Sequence, residues 1–302
     1  MKSNHKITVT VGTSAYNEER NIKFMLTSIC SQREENIQIK KIIVISDGST
    51  DGTIQAAKSV RDNRITIVDD GKRLGQPARI GQLLNMFSTD VFVLVDADMV
   101  LKDSQVIENI VEPIRKNKQV GLVTGETEAV RACTFIEKAV NNFFYARNMI
   151  FPEFRNTAYT AHAFLCFSKK FGKLFQLPQH VLNSDAFSYF SCITQGFTVT
   201  HARNAIALYR SPQSIKDVLN QSVRHVKGGY QLKEFFDSNL VRKGFYVPFS
   251  IQIKLMFWQF FHYPSGYFVL KMIHIYSALK SHWSKEHLEV KWQTISSSKQ
   301  LY

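Results

Sequence analysis

The sequence predicts an α/β protein with a mostly parallel sheet, because short apolar runs alternate with segments of helical spacing. The apolar runs are rich in β-branched side chains, which is typical of buried strands. These runs lie at residues 7–13, 40–45, 64–68 and 91–95. Their alternation with helical segments along roughly the first hundred residues favours a right-handed, largely parallel sheet.

The helices are predicted from apolar residues that recur every three or four positions. In residues 21–31, for example, Ile22, Met25 and Ile29 fall on one helical face. Further helices are predicted at 54–60, 78–87, 104–116, 133–150, 184–194 and 214–236. Further strands are predicted at 120–125 and 159–167, with a β-pair at 197–201 and 205–209. Ser214 is expected to cap the long helix that follows it.

The C-terminal region is apolar and aromatic between residues 245 and 279, but Lys254 and Lys271 interrupt it. Its longest uncharged run, 255–270, is shorter than the roughly 20 apolar residues that a membrane span needs. We therefore expect two short amphipathic segments, separated near Pro264, that lie in the headgroup region of a membrane. A helical hairpin packed on the domain, or a dimer contact, is the alternative.

Composition is that of a globular protein, with 302 residues, 44% of them hydrophobic and 21% charged. The four cysteines are widely spaced and form no C-x-x-C pair, so we expect reduced thiols and no zinc site. The N-terminus has no apolar stretch like that of a signal peptide. These features predict a cytoplasmic protein, with peripheral contact to the inner face of the cell membrane left open.

The net charge of +13 is concentrated in the last third of the chain. Residues 201–302 contain 14 Lys and Arg against 5 Asp and Glu, a surplus of +9. A basic, aromatic-rich end suits an anionic membrane surface, a nucleic acid or an anionic substrate. Charge alone does not choose among these partners.

Polar residues follow the predicted strands at the point where each strand ends. Asn17 and Glu18 follow the first strand, Asp47 follows the second, and Asp96 and Asp98 follow the fourth. Open α/β sheets bind ligands at the carboxyl ends of their strands. Hard divalent cations are held there by one or two carboxylates plus substrate phosphates. A solvated acidic turn is the alternative for the Asp96 and Asp98 pair alone.

Four motifs together resemble the inverting glycosyltransferases of family two, which have the GT-A fold. They are SAYNEE at 14–19, DGSTDGT at 47–53, DAD at 96–98, and AIALYRSP at 205–212 followed by QSVRH at 221–225. The resemblance implies transfer of a sugar, with inversion, from a nucleotide-diphosphate sugar to a hydroxyl acceptor. The expected donor is a UDP-sugar, and the expected acceptor is a glycan or a lipid-linked molecule in surface polysaccharide or glycolipid synthesis.

The resemblance runs from about residue 7 to residue 228. It implies a GT-A domain over residues 1–236, with a nucleotide-sugar half at about 1–125 and an acceptor half at about 126–236. Residues 237–302 are predicted to form an apolar and basic C-terminal helical extension.

The same resemblance assigns residues to the donor site. Asp98, assisted by Asp96, would bind Mg²⁺ or Mn²⁺ and so neutralise the departing diphosphate. Asp96 would lie nearer the ribose or base, and Ala15, Glu18 and Asp47 would hold the base and ribose.

A basic loop before the fourth strand is expected to contact the diphosphate. Gln76 stands where the family commonly has a lysine. The candidates for this contact are therefore Lys72, Arg73 and Arg79, and Arg73 is assigned to the nucleotide-sugar site.

Gln221, Arg224 and His225 lie within about one turn of the long helix, so they can face one site. Arg224 could pair with the diphosphate as a bidentate donor. His225 replaces the tryptophan of processive family members, which weakens a prediction of polymerisation. A basic, solvated helix face is the alternative.

The catalytic base is expected at Asp185, because inverting transfer needs one base opposite the leaving group. The family has an E-D-type motif here, and Ser184 replaces its glutamate. The alternative for Asp185 is a cap at the start of a helix.

Other classes explain the sequence less well. A sugar-phosphate nucleotidyltransferase would need a Gly- and Arg-rich loop after strand one, where this chain is acidic. A dehydrogenase would need a G-x-G-x-x-G after a strand, and none is present. A non-catalytic basic protein that binds membranes or nucleic acid would explain the charge but not the carboxylates, so no nucleic acid partner is expected.

Overall fold

The centre of the molecule is an eight-stranded sheet, seen in a computed structural model that describes residues 6–150 and 164–283. The strands are β1 (Ile7–Ala15), β2 (Ile37–Ser46), β3 (Ile65–Asp69), β4 (Val91–Leu94), β5 (Val100–Leu101), β6 (Val120–Ala129), β7 (Leu165–Ser168) and β8 (Thr198–Tyr209). Their order across the sheet is β3-β2-β1-β4-β7-β6-β8-β5.

The first four strands of this order confirm the predicted parallel arrangement. β1 pairs in parallel with both β2 and β4, and β2 pairs in parallel with β3. The other half of the sheet is mixed, because β7 runs antiparallel to β4 and β6 while β8 runs parallel to β6. The carboxyl ends of β1, β2 and β4 therefore meet at one edge, as the positions of the polar strand ends predicted.

The predicted β-pair at 197–201 and 205–209 is wrong, since both segments belong to the single strand β8. Both halves of β8 pair with β6, and the register shifts where Gly125 aligns with Ala202 and Glu126 with Ile206. An irregularity of this kind adds residues to one strand without reversing its direction. The strand predicted at 159–167 corresponds to β7, and its first part, 159–163, lies outside the described residues.

Helices cover both faces of the sheet. They are α1 (Ile22–Cys30), α2 (Thr53–Lys58), α3 (Gln76–Met86), α4 (Val106–Lys116), α5 (Phe135–Ile150), α6 (Lys169–Leu174), α7 (Ser184–Thr194), α8 (Ile215–Phe235), α9 (Ser238–Gly244), α10 (Phe249–His262) and α11 (Pro264–Trp283). Residues of α1, α2 and α4 form one core with the sheet, and residues of α3, α6 and α7 form a second core on the other side. These two apolar layers account for the near-continuous apolar runs of the central strands.

The C-terminal helices form a third apolar cluster with α5 and α8. Leu270 and Ile273 of α11 are buried there with Val218 of α8 and Ala139 of α5. Helix α10 ends at His262 and α11 begins at Pro264, with Tyr263 between them, which confirms two separate segments. Within the described residues, none of the helices combines the length and apolar character needed to cross a membrane.

Candidate active site

The loops after β1 and β2 are joined by hydrogen bonds into one structure. Asn17 adopts a positive φ of 53°, a conformation that asparagine tolerates better than most residues. Its side-chain Oδ1 accepts a hydrogen bond from the Thr50 backbone N–H at 2.8 Å, and its own backbone N–H donates to Ser49 Oγ at 3.1 Å. The SAYNEE and DGSTDGT motifs are therefore in direct contact, 33 residues apart in the chain.

Asp47 lies at the end of β2 and holds the loop that precedes α3. Its carboxylate accepts hydrogen bonds from the Leu74 amide at 2.7 Å and from the Gly75 amide at 3.1 Å. It also accepts a hydrogen bond from Arg79 Nε at 3.0 Å. Gly75 has a φ of 94°, a conformation that favours glycine. The loop therefore depends on the Asp47 carboxylate and on glycine at position 75.

Arg79 is buried within the protein and does not reach the crevice. The side chain has no exposed surface, and its guanidinium pairs with Asp47 and Asp70. Of the three basic residues considered for the diphosphate contact, Arg79 is therefore excluded. Sequence inspection missed its role because a buried arginine needs carboxylate partners that only the tertiary structure supplies.

The segment before and at the start of α3 contacts the SAYNEE and DAD motifs through its side chains. The Arg73 guanidinium lies over the Tyr16 ring, 3.2 Å from the ring centroid. Gln76 Nε2 donates a hydrogen bond to Asp96 Oδ1 at 3.0 Å. Gln76 thus contacts the D-x-D motif with a neutral amide, at the position where a lysine was expected.

Asp96 and Asp98 follow β4 and lie in a group of acidic side chains. Burial, and then the carboxylates of Asp98, Asp185 and Glu18, raise the pKa of Asp96 well above its ordinary value. The Arg224 guanidinium opposes this rise. All four of these carboxylates are only partly buried, so the group is accessible to a ligand, and we call it, together with Arg224, the acidic crevice.

Asp185 is the second residue of α7, and it does not cap that helix. The cap is Asn183, whose side-chain oxygen accepts a hydrogen bond from the Ala186 amide at 3.0 Å. The alternative role for Asp185 as a helix cap is therefore wrong. Burial raises the pKa of Asp185 to about 6, although Arg224 and a hydrogen bond with Ser184 act to lower it.

Arg224 is a cation placed among these carboxylates. Burial lowers the pKa of Arg224 to about 10, against the opposing effects of Asp185 and Asp96, so the guanidinium stays charged at neutral pH. The neighbouring His225 reaches the protein surface. Desolvation of the imidazole, and then the Arg224 and Arg147 cations, lower the pKa of His225 below its ordinary value.

α8 also fixes the start of α7. Gln231 Oε1 accepts a hydrogen bond from the Leu182 amide at 2.9 Å, and Gln231 Nε2 donates to the His180 carbonyl at 3.0 Å. Gly228 lies so close that an added Cβ would be 3.0 Å from Asn183 Cβ. The helix that carries Arg224 therefore positions the turn that precedes Asp185.

Gly228→Ala and Gly229→Ala provide a matched test of this contact. An added Cβ at Gly229 meets nothing within 4 Å, so that variant should gain about 0.5–1 kcal/mol from helix propensity. In Gly228→Ala, overpacking against Asn183 should cancel this stabilisation. The kcat of that variant should fall with little change in the KM for donor, because Asp185 is displaced. Denaturant unfolding and transfer rates measure both effects. Equal behaviour of the two variants would contradict the positioning role.

The structure brings five of the predicted site residues into one crevice. These are Glu18, Asp96, Asp98, Asp185 and Arg224. Gln221 lies one turn before Arg224 on α8, and His225 lies beside it. Ala15 is behind the crevice wall, with 1% of its surface exposed and its carbonyl accepting a hydrogen bond from the Asp47 amide.

The acidic crevice suits a divalent cation that is bound partly by protein carboxylates and partly by oxygens of a substrate. Over residues 6–150 and 164–283, no three His, Cys, Asp or Glu side chains are arranged to hold a metal ion. Asp96 and Asp98, two carboxylates separated by one residue, suit Mg²⁺, which is typically held by one or two carboxylates together with phosphate oxygens of a substrate. Burial, and then the neighbouring carboxylates, raise the pKa of Asp96, and a bound cation would relieve the repulsion that makes up the second of these effects.

Comparison with known proteins identifies the relatives of this chain. The model of the family "Glycosyl transferase family 2" matches residues 10–175, more than half of the chain. An uncharacterized glycosyltransferase of Haemophilus influenzae is 38% identical over 114 residues, which are 37% of this chain and 34% of that protein. A poly-beta-1,6-N-acetyl-D-glucosamine synthase of Staphylococcus aureus is 23% identical over 263 residues, which are 83% of this chain. The chain spans 62% of the length of that synthase.

Solved structures show the same fold. The mannosyltransferase PcManGT of Pyrobaculum calidifontis, in complex with GDP-Man and Mn²⁺, superposes with a TM-score of 0.67 at 17% identity. This match covers 93% of the present chain and 89% of that one. Glucosyl-3-phosphoglycerate synthase of Mycobacterium tuberculosis superposes with a TM-score of 0.52 at 15% identity and covers 74% of this chain and 77% of that one. The predicted α/β fold of the GT-A type, with C-terminal helices, is confirmed.

Proposed function

The chain belongs to glycosyl transferase family 2, and we propose that it moves a sugar from a nucleotide-diphosphate sugar to a hydroxyl acceptor with inversion. The observation that supports this most is the crevice itself. Two carboxylates suited to a metal, a separate carboxylate with a raised pKa and one guanidinium lie within electrostatic range of each other. These are the groups needed to hold a diphosphate and to remove the proton of an attacking hydroxyl.

Asp98 and Asp96 are proposed to hold Mg²⁺ or Mn²⁺ together with the donor diphosphate. The structure of the similar mannosyltransferase contains GDP-Man and Mn²⁺, and a structure of glucosyl-3-phosphoglycerate synthase contains UDP and Mn²⁺. When bound, the cation would neutralise the negative charge that grows on the diphosphate as the glycosidic bond breaks. Gln76 would keep the Asp96 carboxylate in place by its hydrogen bond.

Donor recognition is proposed to involve both loops that border the crevice. Glu18 faces the acidic group, while Asp47 acts through the loop it holds rather than by a free carboxylate. Arg73, stacked on Tyr16, and Arg224 are the proposed contacts to the diphosphate. Gln221 and His225 would shape the side of the crevice nearest α8.

Asp185 is the proposed catalytic base. With a pKa of about 6, it is mostly ionised at pH 7 yet basic enough to accept a proton in the transition state. The Arg224 guanidinium favours the ionised form of Asp185 in the free enzyme.

The dependence of kcat/KM on pH should therefore show an acidic limb near pH 6. Below this pH the raised pKa leaves Asp185 protonated, so kcat/KM should fall about tenfold for each further pH unit. Removing the guanidinium in Arg224→Gln should move the limb to higher pH, because Arg224 lowers the pKa of Asp185. Initial rates across a buffer series at saturating Mn²⁺ measure this limb. A profile that stays flat from neutral pH down to pH 5 would exclude Asp185 as the base.

The donor is proposed to be a UDP-sugar and the acceptor a growing or lipid-linked surface glycan. The similarity to the poly-beta-1,6-N-acetyl-D-glucosamine synthase over 83% of this chain supports polysaccharide synthesis. The matched family segment ends at residue 175, so the assignment of the Gln221 to His225 segment remains a prediction.

Calorimetric titration of UDP, GDP, CDP and dTDP, each with and without Mn²⁺, tests the proposal directly. We expect one nucleotide to bind, and Mn²⁺ to tighten its Kd by about tenfold or more, because the cation screens the diphosphate from the acidic crevice. If none of the four binds in the presence of Mn²⁺, the proposed function is wrong. Preference for GDP would keep the reaction class but replace the expected donor base.

A further inference from the structure

The helices α10 and α11 expose an unusual amount of apolar surface. Among the described residues, Phe261, Phe268 and Met272 expose 74%, 57% and 67% of their surface. We call the following six residues the outer face: Phe257, Phe261, Phe268, Met272, Ile275 and Leu279. Phe260, itself 39% exposed, joins the two helices, since its ring centroid lies 5.5 Å from that of Phe261 and 5.9 Å from that of Phe268. Large contiguous exposed apolar patches mark interaction sites.

The outer-face residues of α11 lie on one side of the helix. Phe268, Met272, Ile275 and Leu279 follow each other at intervals of three or four residues, so they form one stripe. The opposite side of α11, with Leu270, Ile273 and Ser277, is buried. A helix that is apolar on both sides is typically covered on both sides, and α5 and α8 cover only one of them.

The charged residues of α9, α10 and α11 are all basic. Residues 238–283 contain five Lys or Arg and neither Asp nor Glu. Lys271 and Lys280 are exposed on α11, and Lys254 is exposed on α10. Lysines beside an exposed apolar stripe can extend to anionic groups while the stripe is buried.

We propose that the outer face docks on an anionic bilayer, with α10 and α11 lying in the plane of the headgroups. Aromatic and aliphatic side chains would enter the boundary of the acyl chains, and the lysines would contact anionic headgroups. A second copy of the chain would place these like charges against each other, so a lipid surface fits the charge better.

This docking would set the orientation of the catalytic domain. α11 packs on α8, the helix that carries Arg224 and the residues that contact the start of α7. The membrane would therefore lie one helix layer from α8. Docking does not depend on the proposed sugar transfer, and the two can fail separately.

Flotation of the full chain with vesicles tests the docking. We expect wild type to float with phosphatidylcholine vesicles that contain phosphatidylglycerol, and to bind pure phosphatidylcholine roughly tenfold more weakly. The variant Phe268→Ser with Met272→Ser should lose roughly tenfold or more of its binding to the anionic vesicles. The matched control, Leu174→Ser with Ile215→Ser, replaces apolar residues of similar exposure, 60% and 54%, on other helices and should float like wild type.

A charge variant and a lipid-free measurement complete the test. Lys271→Glu with Lys280→Glu should weaken flotation without changing the far-UV circular dichroism or the binding of nucleotide. Equal flotation of wild type with both kinds of vesicle, or equal losses in the outer-face and control variants, would overturn the proposal. So would sedimentation equilibrium that shows a lipid-free dimer dissociated by Phe268→Ser with Met272→Ser, since that result assigns the outer face to a second copy.

Discussion

Replacing Asp185 with asparagine should stop sugar transfer while leaving the binding of nucleotide and Mn²⁺ nearly unchanged. Asparagine has the same shape as aspartate but cannot accept the proton of the attacking hydroxyl. General base catalysis contributes about 10² to 10⁴ in rate, so kcat should fall by at least about a hundredfold. Because Asn183 and not Asp185 caps α7, the substitution should leave the helix intact. Transfer assays and calorimetry on the same preparation separate the two effects.

Asp237→Asn is the matched control for this experiment. Asp237 caps α9 and accepts hydrogen bonds from the Asn239 and Leu240 amides, a role that asparagine fills equally well. That variant should retain full activity and stability. Turnover by Asp185→Asn close to that of wild type would move the catalytic base to another residue, even if nucleotide binding stays normal.

Replacing Asp98 with asparagine should remove the effect of Mn²⁺ on nucleotide binding. A neutral amide is a poorer ligand for a hard cation than a carboxylate, so the metal and the diphosphate would no longer stabilise each other. We expect loss of the Mn²⁺-dependent tightening and a fall in kcat of about a hundredfold or more, because the departing diphosphate loses its counter-charge. Calorimetry with and without Mn²⁺ measures the first effect.

The same substitution should affect the metal-free protein in the opposite direction. The Asp98 carboxylate contributes to the raised pKa of Asp96, so its removal should lower that pKa and relieve repulsion in the folded state. In the absence of metal, Asp98→Asn should therefore unfold at a higher denaturant concentration than wild type. Asp69→Asn is the control. Asp69 is an exposed residue at the end of β3, and asparagine can still accept the hydrogen bond from the Gly71 amide, so this variant should change neither the Mn²⁺-dependent tightening nor the denaturant midpoint. A variant that still binds nucleotide more tightly with Mn²⁺ would place the metal elsewhere.

Much of the architecture was predictable because the signals for it are local. The apolar run that ends at Asp96 predicted β4, and Ser214 predicted the start of α8, where its side chain accepts a hydrogen bond from the Asp217 amide. The order of strands and helices predicted that the polar strand ends would meet at one edge of a parallel sheet. The matched family segment, residues 10–175, covers the SAYNEE, DGSTDGT and DAD motifs but not the motifs at 205–212 and 221–225.

Two of the three failures concern interactions between distant parts of the chain. β8 was divided into two strands because an irregularity inside a strand resembles a turn when its partner strand is unknown. The capping alternative for Asp185 was open because Asn183 and Asp185 are both good residues near a helix start. Arg79 was considered a diphosphate contact because the sequence does not show that Asp47 and Asp70 enclose it.

The sequence alone thus determined the kind of protein, since side-chain periodicity and the residues at strand ends depend on the neighbouring few positions. Only the tertiary structure decided which carboxylates lie close enough to interact and which of them support a loop. It also showed that Gly228 of α8 fits against the turn before Asp185. The physical reason is that the charge state and the hydrogen-bond partners of a side chain depend on the groups brought near it by folding, and these lie far away along the chain.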